Sequence, residues 1–191
     1  MKSFTAVNGI ALASETPLPV DGIVDRSRLE QQFERILSAN GAALSRLAAS
    51  YTNTLSDRDD LLQEIVFAIW QALPRFRGDC SERTFSFRIA HNRSITHLTR
   101  TKAKTSESLE EVEVHDPAPG PEVKVAERQR ADRLQMAVHE LPVAYRQVIV
   151  LTLEGLGYRE ISEVLGISES NVGARSTRAR QLLHDALENQ R

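Results

Sequence analysis

The sequence predicts an all-α protein made of two small helical domains joined by a flexible acidic linker. Three observations carry this. Apolar residues recur three and four positions apart along most of the chain, and no stretch alternates as a strand would. Aromatics are scarce, at 5% against 41% hydrophobic, so any core is mostly Leu, Ile, Val and Ala, which favours helices. A polar stretch, residues 103–121, carries Pro117, Pro119, Gly120 and Pro121 and divides the 191 residues into two parts, each of small-domain size.

Residues 1–25, with Gly9, Pro17, Pro19 and Gly22 and no period, read as a flexible extension. Residues 26–102 read as the first domain. Leu29, Phe33, Ile36 and Leu37, then Leu44, Leu47, Ala48 and Tyr51, fall on helical faces, and Asn40-Gly41 predicts a break between two helices. Ser56 or Asp57 is expected to cap the next helix, because its side-chain oxygen can accept from the free N–H groups of the first turn. Asp59 and Asp60 suit the positive end of that helix. Leu61, Leu62, Ile65, Val66, Ile69, Trp70 and Leu73 follow, and Pro74 ends the run. A loop with Gly78 leads to a helix over residues 82–102, with Phe85, Ile89, Ile95 and Leu98 on one side. Residues 122–191 form the second domain. A helix over 123–141 precedes Pro142, whose missing N–H suits a helix start, and three shorter helical segments complete the chain.

Net charge is only −2, but its distribution is uneven. Residues 75–104 hold eight Arg and Lys against Asp79 and Glu82, a net +6. Residues 105–127 hold seven Asp and Glu against Lys124, a net −6. A basic block is the electrostatic footprint of a phosphate-binding surface. A single cysteine, Cys80, excludes an internal disulfide and a cysteine-based zinc site. No apolar stretch approaches the roughly 18 residues a membrane span needs, and the N-terminus makes a poor secretory signal. The expected location is the cytoplasm, with no insertion into a membrane. His91, His97, His115, His139 and His184 lack helical metal-site spacing, and there is no Gly-rich phosphate loop and no nucleophile elbow. An enzyme is therefore not expected, and neither a cofactor nor a metal.

The sharpest local pattern lies at residues 158–172. Ile161 and Leu165 stand one turn apart. Gly166 follows where the helix must stop, since Gly adopts positive φ without penalty. Ile167 plugs the corner, Ser168 can cap the next helix, and Val172 faces back on the first. Such spacing sets two short helices at a steep angle, the geometry of a DNA-binding helix-turn-helix. Ala179, Leu182, Leu183, Ala186 and Leu187 form the buried side of the second helix. Its exposed part presents Ser168, Glu169, Ser170, Asn171, Arg175 and Arg178, among which Asn and Arg can bond base edges and Arg can hold phosphate.

Upstream, Asp60-Leu61-Leu62-Gln63-Glu64 opens a helix ending in Trp70. Phe76-Arg77-Gly78-Asp79 follows, and then Phe85-Ser86-Phe87-Arg88-Ile89-Ala90-His91-Asn92. In this order the segments resemble the sigma-70 family of bacterial transcription initiation factors, above all its small extracytoplasmic-function (ECF) group. In the second domain, Leu141-Pro142, residues 145–148, residues 157–161 and Arg178-Ala179-Arg180 resemble the family's region 4. The resemblance covers residues 29–187. A transcription factor of another helix-turn-helix class would account for residues 158–187 equally well, but would leave 60–92 a coincidence. The length leaves no room for the middle domain of housekeeping sigma factors.

The resemblance implies a factor that binds core RNA polymerase, directs it to promoters, opens the DNA and catalyses nothing itself. The first domain would be region 2. Asp60, Gln63 and Glu64 would supply polar contacts, and Leu61 and Ile65 apolar ones, to the β′ clamp helices of the polymerase. The β flap is the second expected polymerase contact. Arg77, Phe85, Arg88, Asn92, Arg93, Thr96 and Arg100 would engage the −10 element. Opening needs a pocket for an unstacked base and a basic groove for the backbone. Asn92 matches the position that contacts a flipped base, and Phe85 stands where the family commonly has Trp. The helix after Ser168 would read the −35 element, and the acidic linker would thread the RNA-exit path. An anti-sigma partner is common in the group. Val66, Ala68, Thr96, Gly173 and Ser176 depart from the usual residues and leave the promoter sequence open. The sequence names neither a regulon nor a signal, and assigns no role to the N-terminal extension or to Cys80.

Overall fold

The computed structural model describes residues 21–107 and 122–189. Seven α-helices appear among them: α1 (Asp21–Ala49), α2 (Leu55–Ala72), α3 (Glu82–Glu107), α4 (Glu122–Glu140), α5 (Val143–Leu153), α6 (Tyr158–Leu165) and α7 (Glu169–Asn189). A 3₁₀ turn, Leu73–Arg75, follows α2. The described residues contain no strand. The extension over 1–20 and the Pro-rich part of the linker, 108–121, lie outside the described residues.

Four boundaries differ from the sequence expectation, two of them for an evident local reason. The expected break at Asn40-Gly41 does not occur. Asn40 is buried, and its Nδ2 donates to the Ile36 carbonyl at 3.0 Å, so the side chain bonds within the helix and α1 runs through. The cap of α2 is Thr54 rather than Ser56 or Asp57. Its Oγ1 accepts from the Asp57 N–H at 3.0 Å, which places Asp57 in the first turn, where its charge suits the helix dipole. Helix α1 starts at Asp21, inside the span read as extension, and α3 continues to Glu107, into the span read as linker.

Helices α1, α2 and α3 pack around Ile36, Leu44, Leu47, Leu61, Ile65, Ile69, Leu73 and Phe87, all at most 2% exposed. Helices α4–α7 pack around Val148, Leu151, Ile161, Val172 and Ala179. Arg146 is nearly buried and donates through Nη2 to the carbonyls of His139 and Leu141, closing the C-terminal end of α4.

The two halves dock on each other, α3 against α6, and their buried residues form one contiguous cluster. Polar contacts line the seam. The Arg46 guanidinium bonds both carboxylate oxygens of Glu154, at 2.9 and 2.6 Å. Arg83 Nη2 donates to the Glu154 carbonyl. Arg88 Nε donates to the Glu163 carbonyl at 3.2 Å. His139 Nε2 donates to the Ala49 carbonyl at 2.9 Å, satisfying one of the orphan acceptors at the end of α1.

Candidate polymerase and nucleic-acid interfaces

Helix α2 sorts its residues differently from the sequence reading. Asp60 and Gln63 are exposed, as a contact surface requires. Leu61 and Ile65 are 0% exposed and belong to the core, so neither offers a side chain to a partner. Glu64 is committed within the chain: Arg100 Nη2 donates to both of its carboxylate oxygens at 2.8 Å. One residue assigned to polymerase and one assigned to DNA thus neutralise each other across α2 and α3.

In place of Leu61 and Ile65, the neighbouring stripe faces outward. Phe33, Leu62, Gln63, Val66, Phe67 and Trp70 line an open groove of about 420 Å³. Phe67 is 60% exposed. Trp70 is held edge-on to Phe33, ring centroids 5.1 Å apart. The signal was in the sequence. Apolar residues on α2 cover a wider arc than one buried stripe needs, and the surplus must face something else.

Helix α3 carries the basic face. The Ser81 hydroxyl accepts from the Thr84 N–H at 3.0 Å and caps it. Ser86 and Ser94, both buried, return their hydroxyls to the Glu82 and Ala90 carbonyls, which lets a polar helix pack closely on α1 and α2. Asn92, Arg93, Thr96 and Arg100 are exposed, and 92, 96 and 100 share one face by helical spacing. The Thr96 hydroxyl donates to the Asn92 main-chain carbonyl at 2.9 Å, and the exposed Asn92 side-chain amide makes no hydrogen bond among the described residues. Phe85 is half-buried against Phe76, centroids 4.5 Å apart, and Arg77, next to Phe76 in the chain, is exposed. Arg88 is exposed but already tied to α6. His91, one residue from Asn92, is buried, and burial lowers its pKa to about 4, so it stays neutral at pH 7.

Helices α6 and α7 form the turn that the Leu-Gly-Ile-Ser sequence implies. Glu160 accepts from the Gly157 N–H at 2.9 Å and closes the start of α6. Gly166 takes φ +67°, and its N–H and that of Ile167 both bond the Ser162 carbonyl. The Ser168 hydroxyl accepts from the Asn171 N–H at 3.3 Å, and Val172 is fully buried behind it. Residues 168–171 are exposed at the positive end of α7, where an anion is favoured. Arg175 is half-buried. Arg178 is exposed and shares a hydrogen bond of 3.3 Å with Gln181. Two departures now have structural readings. A Cβ at Gly173 would lie 3.5 Å from the Tyr158 ring, an ordinary contact, so the ring leaves room for a side chain there. Ser176 is 0% exposed and its hydroxyl has no hydrogen-bond partner.

Among the described residues no group of three or more His, Cys, Asp or Glu is placed to hold a metal. No described helix is long and apolar enough to cross a membrane.

Known proteins share this arrangement. The family model described as Sigma-70 region 2 matches residues 36–104, and that described as Sigma-70, region 4 matches residues 131–183. The RNA polymerase sigma factor CnrH of Cupriavidus metallidurans is 33% identical over 83% of this chain and 88% of its own length. The ECF RNA polymerase sigma factor SigM of Mycobacterium tuberculosis is 30% identical over 83% of this chain and 76% of its own. The solved structure of CnrH in complex with the cytosolic domain of CnrY superposes with a TM-score of 0.65. It covers 87% of this chain and 99% of that one at 27% identity.

Proposed function

The chain belongs to the sigma-70 family, in its ECF group, and so directs RNA polymerase to promoters for transcription initiation; from this premise we propose which surfaces do each part of the work. The groove between α1 and α2 receives the β′ clamp helices. Asp60 and Gln63 provide its polar edge and Leu62, Val66, Phe67 and Trp70 its apolar floor. Leu61 and Ile65 support that floor from the core.

The exposed face of α3 handles the −10 element. Asn92 bonds the Watson–Crick edge of an unstacked base, the Phe76–Phe85 pair offers a ring for stacking, and Arg77, Arg93 and Thr96 hold the strand's backbone. Arg88 and Arg100 join them after releasing the Glu163 carbonyl and Glu64. Residues 168–171 with Arg175 and Arg178 enter the major groove at the −35 element, and the β flap contacts the same half. The protein works in the cytoplasm, where its polymerase is. An anti-sigma protein covers these surfaces when the factor is held inactive; CnrH, too, is found in complex with another protein, the cytosolic domain of CnrY.

The observation that carries this reading is the pairing, in one chain, of an exposed amide on a cationic helix with an exposed helix-turn-helix. Run-off transcription with core polymerase and genomic fragments tests it and reveals the promoter. Asn92→Ala is expected to leave recruitment to duplex promoter within about twofold while slowing strand opening about tenfold or more, the loss of one bidentate base contact. Equal opening by variant and parent, read by permanganate reactivity of the −10 thymines, would remove Asn92 from the role.

A further inference from the structure

Helix α1 leads from the groove back to the start of the described fold. Phe33 lines the groove, and Leu29, one turn earlier and half-buried, continues its face toward Asp21. Leu62, Val66, Phe67 and Trp70 complete the groove, whose one polar residue is the uncharged Gln63. Phe67 stands 60% exposed. Water against such a strip is unfavourable, so an apolar segment held nearby gains by covering it.

Residues 1–20 precede α1, lie outside the described residues and contain only two charged side chains, Lys2 and Glu15. Phe4, Val7, Ile10, Leu12 and Leu18 supply apolar ones. The distance from Asp21 to Phe33 along α1 is about 18 Å at ~1.5 Å per residue. An extended chain covers it in about six residues at ~3.3 Å each. Ile10 and Leu12 therefore reach the groove with a few residues to spare for the reversal of direction at Asp21. A tether this short sets an effective concentration on the order of millimolar. The other segment outside the described residues, 108–121, suits the groove less well. It carries Glu110, Glu111, Glu113 and Asp116, and the exposed Asp60 stands at the edge of the groove.

We propose that residues 1–20 fold back along α1 and seat Ile10 and Leu12 in the groove beside Trp70, so that the free factor covers its own polymerase-docking surface and the clamp helices must displace the segment. The inference rests on the groove's role in docking polymerase and adds an occupant from the same chain. Its effect follows from mass action: the apparent affinity for polymerase falls in proportion to the fraction of time the groove is open.

The test uses Trp70, the only tryptophan in the chain, whose emission reports on the groove. In the full chain, Ile10→Ser combined with Leu12→Ser should shift that emission to longer wavelength and raise its quenching by acrylamide. Affinity for core polymerase should rise about threefold or more, as expected if the parent's groove is covered about two-thirds of the time. The parent's emission should not change with protein concentration. Should the double substitution fail to fold, a chain lacking residues 1–19 takes its place and the same readings apply. Unchanged quenching, or an uncovered Trp70 with no gain in polymerase affinity, overturns the proposal. So does a parent emission that shifts on dilution, which would put a second copy of the chain in the groove. A parent that fails in run-off with core polymerase would instead count against the promoter-directing role, on which the Trp70 readings do not depend.

Discussion

At the scale of single residues, the departures from the usual family pattern have physical consequences. Ser176 sits at 0% exposure with an unpartnered hydroxyl. A buried hydroxyl without a partner costs roughly 1–3 kcal/mol of desolvation. Ser176→Ala removes that group and improves helix propensity, so it is expected to raise stability by about 1 kcal/mol, measured by urea unfolding with an unchanged m-value. A destabilised Ser176→Ala protein would mean the hydroxyl is satisfied in solution. Arg146 is also left with an unpartnered buried atom, Nε, but its Nη2 closes the end of α4 and its guanidinium lies over the Tyr51 ring. Burial, opposed by the Tyr51 charge when ionised, lowers its pKa, and burial raises that of Tyr51, which stays a neutral phenol at pH 7.

Among the elements, α2 does two jobs with two adjacent stripes. Positions 61, 65 and 69 fill the core, and positions 62, 66 and 70 with Phe67 line the surface groove. This division predicts opposite outcomes for two similar substitutions. Phe67→Ser removes an exposed ring, so stability should move by no more than about 0.5 kcal/mol, while affinity for core polymerase falls about tenfold or more. Ile65→Ser puts a hydroxyl into a packed core and should cost about 3 kcal/mol or more. Thermal melts and polymerase pull-down titrations separate the two, and normal polymerase binding by Phe67→Ser would refute the groove as the docking surface. Helix α3 shows why a helix with four serines and threonines facing inward or along its own backbone still packs. Each of these hydroxyls bonds a carbonyl of its own helix, and small side chains allow close approach.

For the whole molecule, the buried His91 couples stability to acidity. Its imidazole titrates near 4 in the folded chain because burial disfavours the cation, against 6.5 when unfolded. As pH falls below about 6.5 the unfolded chain binds this proton and the folded chain does not. The stabilisation is therefore complete above pH 6.5 and fades progressively toward pH 4. His139 is shifted the same way, chiefly by burial, opposed by its bond to the Ala49 carbonyl and assisted by the Arg146 charge. Urea midpoints measured from pH 7 to pH 4 should decline over this window, and the decline should be shallower in His91→Leu. An identical slope in that variant would show that other groups carry the acid sensitivity.

How much of this was legible beforehand differs between fold and site. The helical class and the corner at Gly166 follow from local rules: apolar period and the left-handed backbone that glycine accepts. So does the family, because its motifs are short and fall in order. What a local pattern does not contain is which of two apolar stripes turns inward, and this misplaced Leu61 and Ile65. Nor does it contain whether Asn40 bonds its own helix, which erased an expected break, or that Glu64 and Arg100, 36 positions apart, would meet. The docking of the two halves is of the same kind. The sequence by itself determined an all-helical promoter-directing factor, because those features are written in spacings of three to five residues. The tertiary structure alone decided what is exposed, what is paired and how far apart the two reading surfaces stand, because these depend on contacts between residues distant in the chain.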